Sequence, residues 1–433
     1  MSSVSAVSAV PAPPRVPLTR DSSPDEVREV VEAWVVAHVP EAWRAAAPGG
    51  RNAIRRVRPS ADYTAWYPTF ADSGLAVPTW PVEHGGLDLP LELARVADAV
   101  VAPYNLGRLN PLGINSVAPA LYAHGTEEQR LRFLPRIVRN EEKWCQLLSE
   151  PGAGSDLASL ATRAVRDGDE WVLTGQKVWT TWAHFSDFAV CLARTDPDVP
   201  KRKGLTYFVV DLHAPGVDVR PLRHIGGEVD FNEVYLDEVR IPDDFRIGGV
   251  GDGWRVANST LTGERKMVSG SNTGGFDRIG GSGMASVIER AVALGRTSEP
   301  DVRQRIAQCY AEEQIRRWTN LRVAGGAART NPAVASVGKI HQGALNQRIQ
   351  LLATDLLGAD ALAWDAGAGA TGDPEGWAEH LPHEVRGMLR SRANTIEGGS
   401  SEVNKNILGE TVLGLPREPD PYRETPWKDV PRS

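Results

Sequence analysis

The residues best equipped for ligand chemistry form a turn between Leu147 and Leu160, with the sequence LLSEPGAGSDLASL. An apolar run ends at Ser149, and glycine, proline and small polar residues follow as far as Asp156. Such a turn exposes backbone N–H groups and hydroxyls, which can hold a phosphate-bearing or heteroaromatic ligand at close range. Because glycine-rich turns are more often plain connections, other segments must support a binding role.

Two other segments carry side chains that could serve a reaction. The segment KVWTTWA contains Trp179 and Thr181, and local sequence alone favours a half-buried strand position for Trp179. In ANTIEGGSSEVNKNILGE, Glu397 precedes two glycines that allow a bend, and Ser400 or Ser401 can cap the helix that follows. A carboxylate in this place is either an ordinary surface group or, once sealed from water, a base for a proton transfer.

Together, SEPGAGSD, KVWTTWA and ANTIEGGSSEVNKNILGE resemble the signature segments of the acyl-CoA dehydrogenases, flavoenzymes that desaturate acyl thioesters. The resemblance extends from about Ala65 to Pro416. It implies an α+β multidomain fold with an N-terminal α-helical domain, a middle antiparallel β-barrel-like domain and a C-terminal four-helix bundle. It also implies FAD as hydride acceptor, because no side chain can accept hydride, with an acyl-CoA substrate and an electron-transfer flavoprotein as partner.

The same resemblance assigns roles to individual residues. Glu397 is expected to abstract the α proton, Ser149 to contact the isoalloxazine ring and Ser155 to contact the pyrophosphate. Trp179 is expected beside the flavin and Thr181 near its reactive nitrogen. The residues implied in flavin binding are Leu148, Ser149, Gly154, Ser155, Trp179, Thr181, Gly399 and Ser401, and those implied in substrate binding are Arg265 and Ser155.

The segment LTGERKM supplies an alternative base. Glu264 matches the position at which some branches of the family carry their base, and Arg265 matches an arginine beside the acyl-thioester pocket. We favour Glu397, because branches that use the earlier position generally have a small residue at the later one. Glu264 is then a second carboxylate or a surface ion-pair partner of a neighbouring arginine.

Two sequence motifs with which the family binds the adenosine half of the flavin are absent from this chain. Homotetrameric members use an R-x-x-F-G motif and a Q-x-x-G-G-x-G motif, where this chain has ALGRTSEPDVRQ and LATDLLGADALAW. We therefore expect a homo- or hetero-oligomer, a dimer or tetramer, in which a second acyl-CoA dehydrogenase-like subunit can supply these contacts. The alternative functions are a flavin-dependent oxidase or monooxygenase on the same fold, and a non-catalytic partner subunit.

Composition narrows the classes of protein. A net charge of -7 and a pI near 5.8 argue against nucleic-acid binding, and no apolar run is long enough to span a bilayer. The nine histidines lack metal-ligand spacing, so no metal site is expected. Cys145, Cys191 and Cys309 are predicted to be buried reduced thiols of a cytoplasmic protein, since no signal peptide is evident.

The elements that must position these residues follow from periodicity. The predicted organisation is a disordered leader at 1–20, a helical domain at 21–143, a β domain at 144–247, a helical bundle at 248–416 and a tail at 417–433. The first helix is expected after Ser23-Pro24, and a later one after a Ser298-x-x-Asp301 cap. The glycines of Gly270–Ser286 follow no strand of a βαβ unit and therefore do not predict a dinucleotide loop.

Overall fold

The computed structural model describes residues 15–269, 281–323, 332–362 and 381–431. The predicted leader, the segment Gly270–Ser286 and the tail therefore lie partly outside the described residues. The chain divides into two compact units: Met1–Ile114 with Thr126–Lys143, and Asn115–Gly125 with Trp144–Ser433. The α-helices of the described residues are α1 (Pro24–His38), α2 (Glu41–Ala46), α3 (Gly50–Val57), α4 (Ser60–Asp72), α5 (Leu91–Val101), α6 (Ala118–His124), α7 (Glu127–Arg139), α8 (Gly253–Ser269), α9 (Met284–Ala293), α10 (Pro300–Arg322), α11 (Ala335–Leu357), α12 (His383–Ser391) and α13 (Ser401–Ile407).

The first unit is helical, and its first helix begins where the sequence predicts. Ser23 caps α1, Pro24 is its first residue, and Glu26 completes a capping box. The face that carries Val27 and Val31 is buried, as the spacing of apolar residues requires. Helix α7 begins with a second capping box, formed by Thr126 and Gln129.

The second unit contains one eight-stranded sheet. The strands are β1 (Trp144–Leu147), β2 (Arg163–Asp167), β3 (Glu170–Thr181), β4 (Phe188–Arg194), β5 (Leu205–Asp211), β6 (Val217–Leu222), β7 (Phe231–Pro242) and β8 (Arg246–Ile247). Their order in the sheet is β6-β7-β3-β2-β4-β5-β8, and β1 pairs with β4. Most neighbours are antiparallel, as predicted, but β1 runs parallel to β4, and β2 meets β4 in parallel at Arg163 and Arg194. Strand β4 is buried along almost its whole length, because it lies inside the sheet between β1, β2 and β5.

Helices α8 to α13 follow the sheet in the same unit. Helices α9, α10 and α11 share an apolar core that includes Val287, Val302 and Leu345. The α+β multidomain prediction, with helical, β and helical parts in that order, is confirmed. The described residues contain no helix that is both long enough and apolar enough to cross a membrane.

Two predictions about helix starts are decided by the structure. The Ser298 cap is wrong: Glu299 is the N-cap of α10 and Pro300 its first residue, while the Ser298 hydroxyl donates to Gly295 O at 3.0 Å. A proline is well suited to the first helical position, so it fixes the start two residues beyond Ser298. At α13, Ser400 is the cap, and its Oγ accepts from Val403 N at 3.2 Å.

The three cysteines are buried and free, as predicted. Burial raises the pKa of Cys145 to about 12 and that of Cys191 to about 11. A thiol becomes a strong nucleophile only as a thiolate, so both are inert packing residues at neutral pH.

Candidate active site

The Ser149 turn, residues 147–160, is anchored by a buried ion pair. Lys177 of β3 is fully buried, and its Nζ lies 2.9 Å from Glu150 Oε1 and 3.1 Å from Leu148 O. The Glu150 carboxylate also accepts from Ala161 N at 2.6 Å and Thr162 N at 2.9 Å. Burial opposes ionisation of Glu150, but Lys177 and these donors outweigh it and lower its pKa. The two ends of the turn are therefore tied to one carboxylate.

The outer side of the Ser149 turn carries hydrogen-bonding groups that have no partner within the described residues. The N–H groups of Gly154 and Ser155 and the hydroxyls of Ser149, Ser155 and Thr181 form no hydrogen bond within the described residues. A Cβ built on Gly154 would meet no atom within 4 Å, so packing does not explain this glycine. Free donors beside open space are suited to a ligand that accepts hydrogen bonds.

Strand β3 carries the turn's neighbour, Trp179, in an unusual backbone conformation. Val178 N donates to Ser149 O at 2.9 Å, which places the next residue, Trp179, beside the turn. Trp179 has φ +60°, at an irregularity in the β3–β7 register, and its side chain is 56% exposed. A large side chain in left-handed backbone is strained, and such strain concentrates at functional sites. The structure thus corrects the half-buried interpretation of Trp179.

Glu397 follows a tight helical turn, Arg392–Thr395, and precedes Gly398 and Gly399, which have φ +64° and +87°. Its carboxylate pairs with the Arg390 guanidinium, with Nη2 to Oε2 at 2.8 Å and Nη1 to Oε1 at 3.3 Å. Asn394 Nδ2 donates to Oε1 at 2.8 Å. Glu397 is therefore neither a free surface group nor a sealed one: its side chain is 31% exposed and held by three N–H donors.

A buried polar network continues from Asn394 into α11. Asn346 Nδ2 donates to Asn394 Oδ1 at 2.7 Å, Gln350 Nε2 donates to Asn346 Oδ1 at 2.9 Å, and the Lys339 ammonium donates to Asn394 O. Lys339, Asn346 and Gln350 are at most 1% exposed. Sequence reasoning missed these residues, although their spacing of seven and four places them on one helix face.

Phe231 connects Trp179 with the Glu397 segment. The Trp179 and Phe231 rings meet edge to face with centroids 5.7 Å apart. The Arg390 guanidinium carbon lies 5.6 Å from the centroid of the same Phe231 ring, and Arg390 holds Glu397. The structure therefore brings the predicted flavin-side tryptophan and the predicted base to one locality, within one compact unit.

The remaining predicted site residues have these positions. Leu148 is buried at the end of β1, and Ser401 is the first residue of α13. A Cβ on Gly399 would approach Asn404 Nδ2 to 3.0 Å, and that nitrogen donates to Gly399 O at 2.9 Å. Glu264 and Arg265 belong to α8, but their side chains lie outside the described residues.

His224, Glu228 and Asp230, which the sequence did not single out, form a cluster before β7. Their potential ligand atoms lie within 4.8 Å of one another, a spacing that a metal site would also require. His224 Nε2 is 3.5 Å from both carboxylates, and Arg386 Nη1 is 3.6 Å from Glu228 Oε1. The Glu228 carboxylate is thus already paired with a protein cation, Arg386.

The chain matches three domain families: acyl-CoA dehydrogenase N-terminal domain over residues 24–141, middle domain over 145–239 and C-terminal domain over 251–413. It is 37% identical over 402 residues to acyl-CoA dehydrogenase IpdE1 of Mycobacterium tuberculosis, covering 91% of this chain and 98% of that protein.

Two solved structures are similar over nearly the whole chain. For the Tcur3481-Tcur3483 steroid ACAD the TM-score is 0.67 with 28% identity, covering 93% of this chain and 100% of that one. For the ChsE4-ChsE5 complex from Mycobacterium tuberculosis the TM-score is 0.65 with 25% identity, covering 92% and 100%. With three domain matches in order and a relative matched over almost its full length, the chain belongs to the acyl-CoA dehydrogenase family.

Proposed function

We propose that this acyl-CoA dehydrogenase binds FAD and removes the α proton and the β hydride of an acyl-CoA thioester, with Glu397 as the base. The observation that carries this proposal is the convergence of Trp179 and the Arg390–Glu397 pair on Phe231. This convergence brings the tryptophan that we propose beside the flavin and the proposed base to the same place.

The residues of the Ser149 turn fit a flavin. They offer free N–H groups at Gly154 and Ser155, free hydroxyls at Ser149 and Thr181, and an exposed, conformationally strained indole at Trp179. When bound, the flavin supplies the acceptor for the β hydride. Leu148, Gly399 and Ser401 complete the proposed contacts, and Ser155 with Arg265 is assigned to the substrate.

Glu397 provides the proton acceptor. Its carboxylate keeps about one lone-pair position that no donor of the described residues fills, because it accepts three hydrogen bonds among about four such positions. Displacement of water by a bound thioester would strengthen the carboxylate as a base toward the α proton. Glu264 remains the alternative base.

This chain lacks the two sequence motifs that bind the adenosine half of the flavin in homotetrameric members. We assign those contacts to a second acyl-CoA dehydrogenase-like subunit, and the Tcur3481-Tcur3483 and ChsE4-ChsE5 neighbours support this because each is named as a pair of proteins. Charge-assisted hydrogen bonds contribute about 1.5–3 kcal/mol each, so the isolated chain should hold FAD weakly. Purification of the chain alone with tightly bound, stoichiometric FAD would contradict this assignment.

The electron acceptor is proposed to be an electron-transfer flavoprotein. An anaerobic titration of the flavin-loaded protein with acyl-CoA thioesters of different bulk tests both the reaction and the acceptor. We expect substrate-dependent bleaching of the flavin band that air reverses slowly and an electron-transfer flavoprotein reverses quickly. Rapid reversal by air would instead favour the oxidase or monooxygenase, and absence of bleaching with every thioester would favour a non-catalytic subunit.

A further inference from the structure

The Arg390 guanidinium and the Glu397 carboxylate form a two-point pair. The Nη2–Oε2 and Nη1–Oε1 distances are 2.8 and 3.3 Å, and the two side chains are 27% and 31% exposed. A planar fork that meets both carboxylate oxygens restrains orientation as well as charge. Arg390 therefore fixes the rotamer of Glu397 more firmly than a single hydrogen bond would.

Arg390 is itself held from two other directions. Its guanidinium carbon lies 5.6 Å from the Phe231 ring centroid, within cation–π range. Burial lowers the pKa of Arg390, but Glu397, Asp230 and Glu228 outweigh it and raise the pKa above its ordinary value. The arginine therefore stays charged and links the β7 side of the unit to the Glu397 segment.

Other charged groups surround this pair. Glu228 is shared with Arg386 at 3.6 Å, and His224 lies 3.5 Å from both Glu228 and Asp230. On the α11 side, the Lys339 ammonium donates to the backbone O of Asn394, the residue whose side-chain amide donates to Glu397. Among these groups of the described residues, only Arg390 forms an ion pair with Glu397.

We propose that Arg390 is a positioning residue for the reaction, which holds the Glu397 carboxylate in one orientation before the thioester binds. This inference rests on the proposed function, because it assigns the base role to Glu397. Arg390 need not touch the substrate to do this.

The test compares three variants of the FAD-loaded protein, in complex with its partner subunit where the complex is the form that binds FAD. Arg390→Gln removes the charge and the fork, Arg390→Lys keeps the charge but not the fork, and Arg392→Gln removes a nearby arginine whose hydrogen bonds go to Met388 O and Ser391 Oγ. The measurements are the limiting rate of anaerobic flavin reduction by an acyl-CoA and the acyl-CoA concentration that gives half that rate.

For Arg390→Gln we expect the limiting rate to fall about tenfold, since misplacement of a catalytic group is costly. The half-saturating concentration should change little, because Arg390 need not touch the substrate. Arg390→Lys keeps the charge but not the fork and should show a similar fall, whereas Arg392→Gln should leave both quantities unchanged.

A second readout isolates proton removal. An acyl-CoA whose β carbon is replaced by sulfur can lose its α proton but cannot give a hydride, and the resulting anion produces a long-wavelength charge-transfer band with oxidised flavin. We expect this band to develop about tenfold more slowly in Arg390→Gln than in wild type, because the base is no longer held in place. If Arg390→Gln does not fold, the Lys variant carries the test: a wild-type limiting rate would overturn the orienting role.

The two proposals fail differently. If wild-type protein is not reduced by any acyl-CoA, or if Glu397→Gln is reduced at the wild-type rate, the proposed function fails. If Glu397→Gln abolishes reduction while Arg390→Gln keeps the wild-type limiting rate, the proposed function stands and the role of Arg390 is overturned.

Discussion

The Ser149 turn and the Glu397 segment, residues 390–401, are each held by an ion pair, but in different surroundings. The Lys177 and Glu150 side chains are 0% and 8% exposed, whereas Arg390 and Glu397 are 27% and 31% exposed. A buried pair is expensive to break, because the remaining charge is left in a low-dielectric interior, while a water-accessible pair is weaker and more responsive. The turn proposed to hold the cofactor is therefore held by the stronger pair, and the segment proposed to carry the base is held by the weaker one.

The largest expected effect of a single substitution falls on the buried pair. Lys177→Met leaves the Glu150 carboxylate buried and uncompensated, so the free energy of unfolding should fall by about 3–5 kcal/mol. Urea unfolding measures this fall in the free energy of unfolding. The matched control is Lys201→Met, which breaks a pair with Asp156 whose side chains are 21% and 57% exposed, and we expect a loss of about 0–1 kcal/mol there. Equal losses would remove the distinction between the two kinds of pair.

Acid should weaken the turn through Glu150. Because Lys177 and the N–H donors lower the pKa of folded Glu150, its contribution to stability is present above the unfolded value of about 4.3 and is lost as pH falls through the folded value. The difference in unfolding free energy between wild type and Glu150→Gln should therefore shrink as the pH falls below about 4.3, by at most about 1.4 kcal/mol per pH unit. A difference independent of pH from 6 to 3 would contradict this.

The smallest expected effect concerns the helix that follows Glu397. Ser400→Ala removes the side-chain cap of α13 and should cost about 1 kcal/mol, whereas Ser401→Ala should cost less than about 0.5 kcal/mol. Urea unfolding compares the two, and amide hydrogen exchange at Val403 gives a local measure, since this N–H donates to Ser400 Oγ. Faster exchange in the Ser401 variant than in the Ser400 variant would show that Ser400 is not the cap.

The fold was predictable from the sequence because each region has its own pattern of residue types. Helical periodicity after Ser23, β-branched strands after Trp144 and helical periodicity again after Asp252 gave the three parts in order. The wrong start of α10 shows the limit of local signals: Ser298 and Pro300 are both plausible start residues, two positions apart, and boundaries are the least determined feature of a helix.

The candidate site was less predictable, because its pairings are distant in sequence. Asn346 and Asn394 are 48 residues apart, and Phe231 and Arg390 meet only through the tertiary fold. Before folding, nothing distinguishes Arg390 from Arg386 or Arg392, which lie on the same short segment. The left-handed backbone of Trp179 was equally hidden, because a strand-like sequence gives no sign of a register irregularity.

The central claim is that Glu397 is the base, and the rate of anaerobic flavin reduction by an acyl-CoA tests it most directly. Removal of a general base typically costs about 10²- to 10⁴-fold in rate, so Glu397→Gln should lose at least 100-fold while retaining its flavin. Glu264→Gln serves as the comparison and should remain within about tenfold of wild type, because a neighbouring carboxylate is not the proton acceptor. Wild-type reduction by Glu397→Gln, with loss in Glu264→Gln, would contradict the account and move the base to α8.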